Sequence, residues 1–298
     1  MNESGIKLAS QPAAVRRFAA FVAVTIAAGL MAFFPIEALM TSVARSDYYS
    51  HIVLIPLVSA YFLWFARERV FGEPEPAPAP GIAVAVAGLA LYALGLAGVF
   101  GLNENDHGSL LTFASIVFWL GGFMALYGTC IWKKEPFPLI FLVFAIPIPS
   151  PILNNIIYFL QVWSTEAVAV LFNLLDVPAT RDGFYFYLPS VAIQVAKECS
   201  GIRSSLALFI TGVVAGHLFL DKGWKTWVVV AAVVPITVVK NAIRIVVLTL
   251  LAAHVDPRFL TGGFLHQSGG FLFYIPALLL LGVVLFGLRR VGGSRRNS

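Results

Sequence analysis

Three residues with catalytic chemistry lie in the last third of the 298-residue sequence. Cys199 lies in "AKECSGIRSS", Arg244 in "VVKNAIRIVVL" and His266 in "FLHQSGG". A cysteine is nucleophilic as its thiolate, which nearby cations or a helix N-terminus stabilise. A histidine transfers protons near neutral pH, and an arginine stabilises the oxyanion of a tetrahedral intermediate. Together, these residue types fit acyl transfer through a thioester.

Further polar residues accompany the cysteine and the arginine. Arg203 follows Cys199 by one helical turn, so its charge favours the thiolate. Lys240 and Asn241 precede Arg244 by four and three residues, so all three lie near one helical face. A charged arginine within a membrane span is costly unless it faces a partner or a wet cavity. The polar stripe therefore predicts an internal cavity.

The composition indicates the kind of secondary structure that carries these residues. The chain is 59% hydrophobic and 12% charged, and a soluble domain carries roughly twice that charge. Several apolar runs reach the length of about 20 residues that crosses a bilayer, and the alternating segments of a β-barrel are missing. The sequence therefore predicts an all-α, polytopic integral membrane protein whose partner is the lipid bilayer.

The charge pattern predicts the orientation. Although the net charge is +5, the basic residues cluster at helix ends, so they indicate topology and no nucleic-acid partner. We expect one membrane domain over 1–298, with a cytoplasmic tail at 1–16, a transmembrane region at 17–288 and a basic cytoplasmic tail at 289–298. About eight crossings are expected near 17–36, 51–66, 81–101, 110–132, 137–151, 200–220, 226–252 and 269–288.

This topology brings the three reactive residues to one level. Cys199 begins the sixth span at its outer end, and His266 opens the eighth span from the same side. Arg244 precedes the outer end of the seventh span by about eight residues, roughly 12 Å below the surface. We therefore expect one site on the extracytoplasmic side.

The sequence also predicts the local structure of three other segments. The helix at 152–175 is expected on the outer surface or re-entrant, because another crossing would invert every later loop. Residues 183–196 alternate with period two and predict a small extracytoplasmic β-hairpin, an irregular aromatic loop being the alternative. The stretch "EPEPAPAPG" at 73–81 predicts an extended cytoplasmic linker.

Other residues that stand out in the sequence are expected to have structural roles. Cys130 is expected to be a packing residue near the inner end of the fourth span, across the membrane from Cys199. Gly212 and Gly216 form a GxxxG pair that predicts close helix packing. The sequence contains no HExxH, clustered Cys/His, P-loop or GxSxG motif, so neither a metal nor a cofactor is expected.

The ordered motifs resemble the exosortase/archaeosortase family. "ECSGIRSS", "NAIRI" and "LHQSGG" carry the resemblance, and "YYSHIVLIPLVSAYFLWFARER" is similar to the family's early Ser-His segment. The run "FPLIFLVFAIPIPSPILNNIIYFLQVWSTEAVAVLFNLLDVP" is similar to its Pro-rich central span and following helix. The resemblance covers residues 45–285, and Ile52 stands where the family more often has a glycine after the histidine.

The resemblance implies a Cys-Arg-His active site. Cys199 would be the nucleophile, Arg244 the oxyanion or thiolate stabiliser, and His266 the proton carrier. Ser200, Gly201 and Arg203 would shape the turn and cavity at the cysteine. Asn241 would orient Arg244.

The resemblance also implies the substrate and the setting. Substrates would be exported proteins with a PEP-CTERM-like sorting tail, which has a Pro-Glu-Pro-like motif, one transmembrane helix and a basic end. The enzyme would cleave the tail and transfer the upstream protein to an acceptor nucleophile. Such enzymes are typical of the inner membrane of Gram-negative bacteria that make exopolysaccharide.

Two other functions are compatible with the sequence. One is a transporter for a small solute or a lipid-linked sugar, with Arg244 and Glu166 lining the path. It predicts that Cys199→Ala retains function. The other is a non-catalytic partner in polysaccharide export, which predicts that His266→Ala is tolerated as well.

Overall fold

The computed structural model describes residues 12–42, 49, 51–72, 74–197, 201–220, 223–256, 258–261 and 264–293. Within these ranges it has twelve α-helices, one short 3₁₀ helix and one three-stranded sheet. The chain divides into two compact units, Met1–Ser150 and Pro151–Ser298. Each unit is considered separately below.

Seven helices of the described part are long and apolar enough to cross a membrane. The predicted all-α, polytopic membrane class is therefore confirmed. The expected number of eight crossings remains a prediction, because length and composition alone identify these helices. The seven helices are α1 (Pro12–Ser42), α4 (Pro78–Leu96), α5 (Glu104–Tyr127), α8 (Ser150–Leu174), α9 (Ile202–Phe219), α10 (Gly223–His254) and α12 (Phe264–Gly293).

The shorter elements connect these helices. In the first unit they are α2 (Leu54–Phe65), α3 (Arg67–Phe71), α6 (Ile131–Lys134), α7 (Phe137–Phe141) and the 3₁₀ helix Leu142–Ala145. In the second unit they are β1 (Thr180–Asp182), β2 (Tyr185–Tyr187), β3 (Ala192–Gln194) and α11 (Arg258–Thr261).

Glycines allow α4 and α5 to pack closely in the first unit. A Cβ on Gly121 would lie 2.2 Å from the backbone nitrogen of Ala85, and one on Gly88 would lie 2.5 Å from that of Phe118. Small residues at such contacts let the helix backbones approach each other. The interface between α4 and α5 therefore depends on residues without side chains, which the sequence analysis did not identify.

The predicted crossing at 137–151 is not one continuous helix. It begins with α7 and the 3₁₀ helix, and its proline-rich end is irregular until α8 begins at Ser150. At that end, Asn105 Nδ2 donates to the Ile148 carbonyl at 2.9 Å, and Ser150 N donates to Asp106 Oδ1 at 2.5 Å. Side chains at the start of α5 therefore bind the backbone where the prolines prevent a helix.

The second unit combines α8, the sheet and α10 around one apolar core. The strands are antiparallel in the order β1-β2-β3, and Phe186 of β2 lies opposite Ile193 of β3. These two residues pack with residues of α8 and α10 in one cluster, namely Val168, Phe172, Ala242 and Val246. The segment 183–196 therefore supplies strands β2 and β3 of this sheet, and its extracytoplasmic position remains a prediction.

Helices α9, α10 and α12 form a second core in the same unit, built around Leu208, Val233 and Leu281. A Cβ on Gly216 of α9 would lie 2.6 Å from Thr226 Cγ2 of α10, which confirms the expected close packing at this glycine. At Gly212 the nearest atom would be 3.4 Å away, an ordinary contact. Helix α9 therefore runs antiparallel to α10, and its last turns lie beside the beginning of α10.

A substitution at Gly121 tests the close packing of α4 on α5. Gly121→Ala is expected to destabilise the folded protein by about 1–3 kcal/mol, because the methyl group would overlap the backbone of α4. The measurement is the thermal unfolding midpoint of the purified protein in detergent. The control is Gly282→Ala in α12, where a Cβ would meet nothing within 4 Å. An unchanged midpoint for Gly121→Ala would contradict this account of the interface.

Candidate active site

The residues predicted to form the site differ in how much of them the structure describes. Cys199 and Ser200 lie outside the described residues. His266 lies in the first turn of α12, and its side chain is also outside the described part. The site is therefore built from residues on either side of Cys199 in the sequence and from α10.

Gly201 packs directly against α10. It is the N-cap of α9 and has a left-handed backbone, with φ 72°. A Cβ at this position would lie 3.0 Å from Asn241 Oδ1 and 3.5 Å from Lys240 Nζ. Glycine suits the position because it adopts this φ freely and leaves room for the neighbouring helix. The structure thus brings together two predicted site residues, Gly201 and Asn241.

Hydrogen bonds hold the carbonyl group of Gly201. It accepts from Ser204 Oγ at 3.0 Å, from Ser205 Oγ at 2.7 Å and from Ser205 N at 3.0 Å. Ser204 Oγ in turn accepts a hydrogen bond from Lys240 Nζ of α10. Lys240 is only 8% exposed. The first turn of α9 is therefore bound to α10 through both backbone packing and a lysine.

Asn241 joins this contact to α8. It is fully buried, and its Nδ2 donates to Ser164 Oγ of α8 at 3.0 Å. One turn earlier on α8, Gln161 Nε2 donates to the Val195 carbonyl at 2.6 Å. Polar groups of α8 and α10 therefore fix the chain at Val195 and at Gly201. Cys199 lies between these two points in the sequence.

Arg244 extends the polar face of α10. It is half-buried and lies one turn beyond Lys240, near enough for the two cations to interact electrostatically. Arg203, in contrast, is exposed on α9. The positive charge beside Gly201 therefore comes from α10, and positive charge favours a nearby thiolate.

Several polar contacts of this site are not predictable from the residue pattern. The pattern puts Lys240 on one helical face with Arg244, but it predicts no role for Lys240, Ser204 or Ser164. The available signal on α8 was the spacing of Gln161, Ser164 and Thr165, which puts three polar residues on one helical face.

Glu166 lies apart from this polar face. Its carboxylate accepts two hydrogen bonds from the Arg181 guanidinium of β1, at 2.9 and 2.7 Å, and its side chain is 53% exposed. A transport path lined by both Glu166 and Arg244 therefore gains no support from the described residues.

Cys130, the other cysteine, lies beside a carboxylate. Cys130 Sγ donates to Glu75 Oε2 at 3.3 Å. This hydrogen bond, with desolvation and the charge of Glu75, raises the pKa of the Cys130 thiol despite the nearby Lys133 and Lys134. The thiol therefore stays protonated at neutral pH. Among the described residues, no group of three or more His, Cys, Asp or Glu could hold a metal ion.

Alkylation kinetics test the environment of Cys130. In a Cys199→Ala background, where Cys130 is the only thiol, Glu75→Gln is expected to accelerate alkylation by iodoacetamide at pH 7. Removing the carboxylate charge destabilises the protonated thiol relative to the thiolate, so the pKa of Cys130 falls and the rate–pH curve moves to lower pH. Glu68→Gln, which neutralises a carboxylate in α3, serves as the control. An unchanged curve for Glu75→Gln would exclude this contact.

Comparison with known proteins gives one match. The family model described as "Transmembrane exosortase (Exosortase_EpsH)" matches residues 40–283, which include every predicted site residue. No curated protein and no solved structure matches the chain.

Proposed function

The chain belongs to the transmembrane exosortase family, and from this premise we propose that it is a membrane-embedded cysteine transpeptidase. Family membership supports a protein-sorting role at the membrane for substrates that carry sorting signals. The observation that carries the proposal is the left-handed turn at Gly201, packed against Lys240 and Asn241 of α10. The proposed nucleophile, Cys199, precedes this turn by two residues.

The proposed reaction has two acyl-transfer steps. The Cys199 thiolate attacks a backbone carbonyl in the sorting tail, and the peptide C–N bond breaks. His266 donates a proton to the departing amine, which leaves with the transmembrane tail. An acceptor nucleophile then gives its proton to His266, attacks the thioester, takes the upstream protein and restores the thiolate. The proposed substrates are PEP-CTERM-like proteins, and the proposed setting is exopolysaccharide production.

Arg244 is the proposed stabiliser of negative charge in these steps. It lies on the α10 face that carries Lys240 and Asn241, one helical turn from the contact with Gly201. A cation at this position favours the thiolate before attack and the oxyanion during it. Asn241 supports this arrangement through its buried hydrogen bond to Ser164.

Helix lengths support a site near the outer boundary of the hydrocarbon layer. Helix α9 has 18 residues, which span about 27 Å, close to the hydrocarbon thickness of about 30 Å. Its first residues lie beside Lys240 and Asn241, so the part of α10 before them has a similar length. Beyond Asn241, α10 packs against the sheet through Ala242 and Val246. The site is thus proposed at this boundary, nearer the surface than the sequence estimate.

The position of the sheet also supports a surface or re-entrant position for α8. Gln161 binds Val195, and Glu166 binds Arg181, so the sheet segment lies beside the second half of α8. Open sheet edges do not occur in the hydrocarbon layer. The part of α8 before Gln161 would cover only about 16 Å, too little for a crossing of about 30 Å. The length and composition of α8 would allow it to cross the membrane, but its contacts with Val195 and Arg181 oppose a crossing.

The proposed location is the inner membrane, with both termini cytoplasmic and the site extracytoplasmic. The supporting observation is the alternation of basic loops along the chain.

Processing of a reporter substrate tests the function. The reporter carries a C-terminal Pro-Glu-Pro motif, one transmembrane helix and an arginine cluster. Cys199→Ala should abolish cleavage, and Arg244→Ala and His266→Ala should each slow it by about 10²- to 10³-fold. Cleavage is followed by immunoblotting, and the thioester at Cys199 is trapped for mass spectrometry. Cys130→Ser, the control, should cleave normally. Normal cleavage by membrane-inserted Cys199→Ala would disprove the proposal.

Cysteine labelling tests the orientation. In a background that lacks both native cysteines, Asp182→Cys in the sheet should react with a membrane-impermeant maleimide in intact spheroplasts. Lys134→Cys, predicted on the cytoplasmic side, should react only after permeabilisation. Asp182 is exposed in β1, and Lys134 is exposed in α6, so neither position is hidden by packing. The reverse labelling pattern would show that the proposed orientation is wrong.

A further inference from the structure

The proposed Cys-Arg-His site leaves a buried lysine beside Gly201 without a role. Lys240 is 8% exposed and lies at the proposed boundary of the hydrocarbon layer. A cation is costly at such a position unless polar groups stabilise it, and a buried charge in a membrane protein commonly marks a functional site. The ammonium group of Lys240 is therefore expected to have a function at this position.

Its contacts lead to the turn that follows Cys199. Lys240 Nζ donates to Ser204 Oγ, and Ser204 Oγ donates to the Gly201 carbonyl at 3.0 Å. These bonds form a continuous chain from the middle of α10 to the N-cap of α9. The lysine therefore acts on the backbone of the turn through a single hydroxyl group.

A contact at the carbonyl group of Gly201 affects the orientation of the backbone at the start of α9. Its oxygen also accepts from the backbone and side chain of Ser205, so the peptide plane after Gly201 is tightly oriented. That plane follows a left-handed glycine, whose backbone has more freedom than that of any other residue, so its orientation depends on these hydrogen bonds. Gly201 follows Cys199 by only two residues in the sequence, so the backbone at Gly201 is close enough along the chain to influence the direction of the thiol.

We propose that Lys240 is a positioning residue that acts through Ser204 to hold the left-handed Gly201 turn and thereby aim Cys199 at the substrate carbonyl. This role rests on the proposed function of Cys199. It is distinct from charge stabilisation by Arg244, because it requires the hydroxyl group of Ser204 as an intermediate. Attack geometry is strict, and a displacement of about 1 Å can cost about 10²-fold in rate.

The role predicts a specific pattern among variants. Lys240→Met keeps most of the length of the unbranched side chain and removes the ammonium group, and Ser204→Ala removes the hydroxyl group. Each is expected to lower kcat for the reporter by about 10- to 100-fold with little change in KM. The double variant should be no slower than the slower single variant, since both break one chain of contacts. Ser204→Thr retains a hydroxyl group and should retain most of the rate.

Two further measurements separate positioning from general destabilisation. Lys225→Met removes another buried lysine of α10, in the first turn of the helix and about four turns from Lys240, and should leave kcat unchanged. Thermal unfolding midpoints are recorded for every variant. In a Cys130→Ser background, iodoacetamide alkylation of Cys199 is followed without any substrate, and Lys240→Met should change its rate.

The outcomes distinguish this inference from the proposed function. If Lys240→Met processes the reporter at the wild-type rate while Cys199→Ala does not, the positioning role is wrong and the transpeptidase stands. Additive losses in the double variant, or losses that parallel the unfolding midpoints, would also overturn the role. If Cys199→Ala still processes the reporter, the transpeptidase proposal fails. The role of Lys240 is then decided by alkylation of Cys199, and an unchanged rate in Lys240→Met would overturn it.

Discussion

The contact between the left-handed turn at Gly201 and the Lys240–Asn241 step of α10 is the constraint on which the site depends. A side chain at position 201 would meet Asn241 at 3.0 Å, so only glycine allows the two helices this approach while keeping a φ of 72°. The approach brings the start of α9 within reach of the lysine and the asparagine. Every other polar contact of the site extends outward from this point.

The outward contacts satisfy polar groups that would otherwise be costly in a membrane protein. Asn241 binds Ser164 of α8, and Gln161 of α8 binds the backbone at Val195. Buried polar groups need such partners because lipid supplies none. The same contacts attach α8 and the segment after the sheet to α10. The hydrogen bonds that satisfy these buried polar groups therefore also hold the elements around the site together.

The sequence predicted those features that depend on local pattern. Apolar runs predicted a polytopic helical protein, and the spacing of Asn241 and Arg244 placed both on one face of α10. The pattern did not predict the contact between Lys240 and Ser204, because the two residues are 36 positions apart and on different helices. The prolines of the segment at 137–151 indicate that a helix ends there, but the pattern did not predict the hydrogen bonds that Asn105 and Asp106 form with this irregular end.

Cys130 shows how neighbouring groups decide the chemistry of a cysteine. Its thiol donates a hydrogen bond to a carboxylate, which stabilises the protonated form and lowers the fraction of nucleophilic thiolate at neutral pH. Around Gly201, two residues after Cys199, the nearest buried charge is the ammonium group of Lys240, with Arg244 one turn further on α10. A thiolate formed beside cations is stabilised, whereas one formed beside Glu75 would be repelled. The carboxylate beside Cys130 therefore opposes a nucleophilic role for that residue, which supports the proposal that Cys199 has this role.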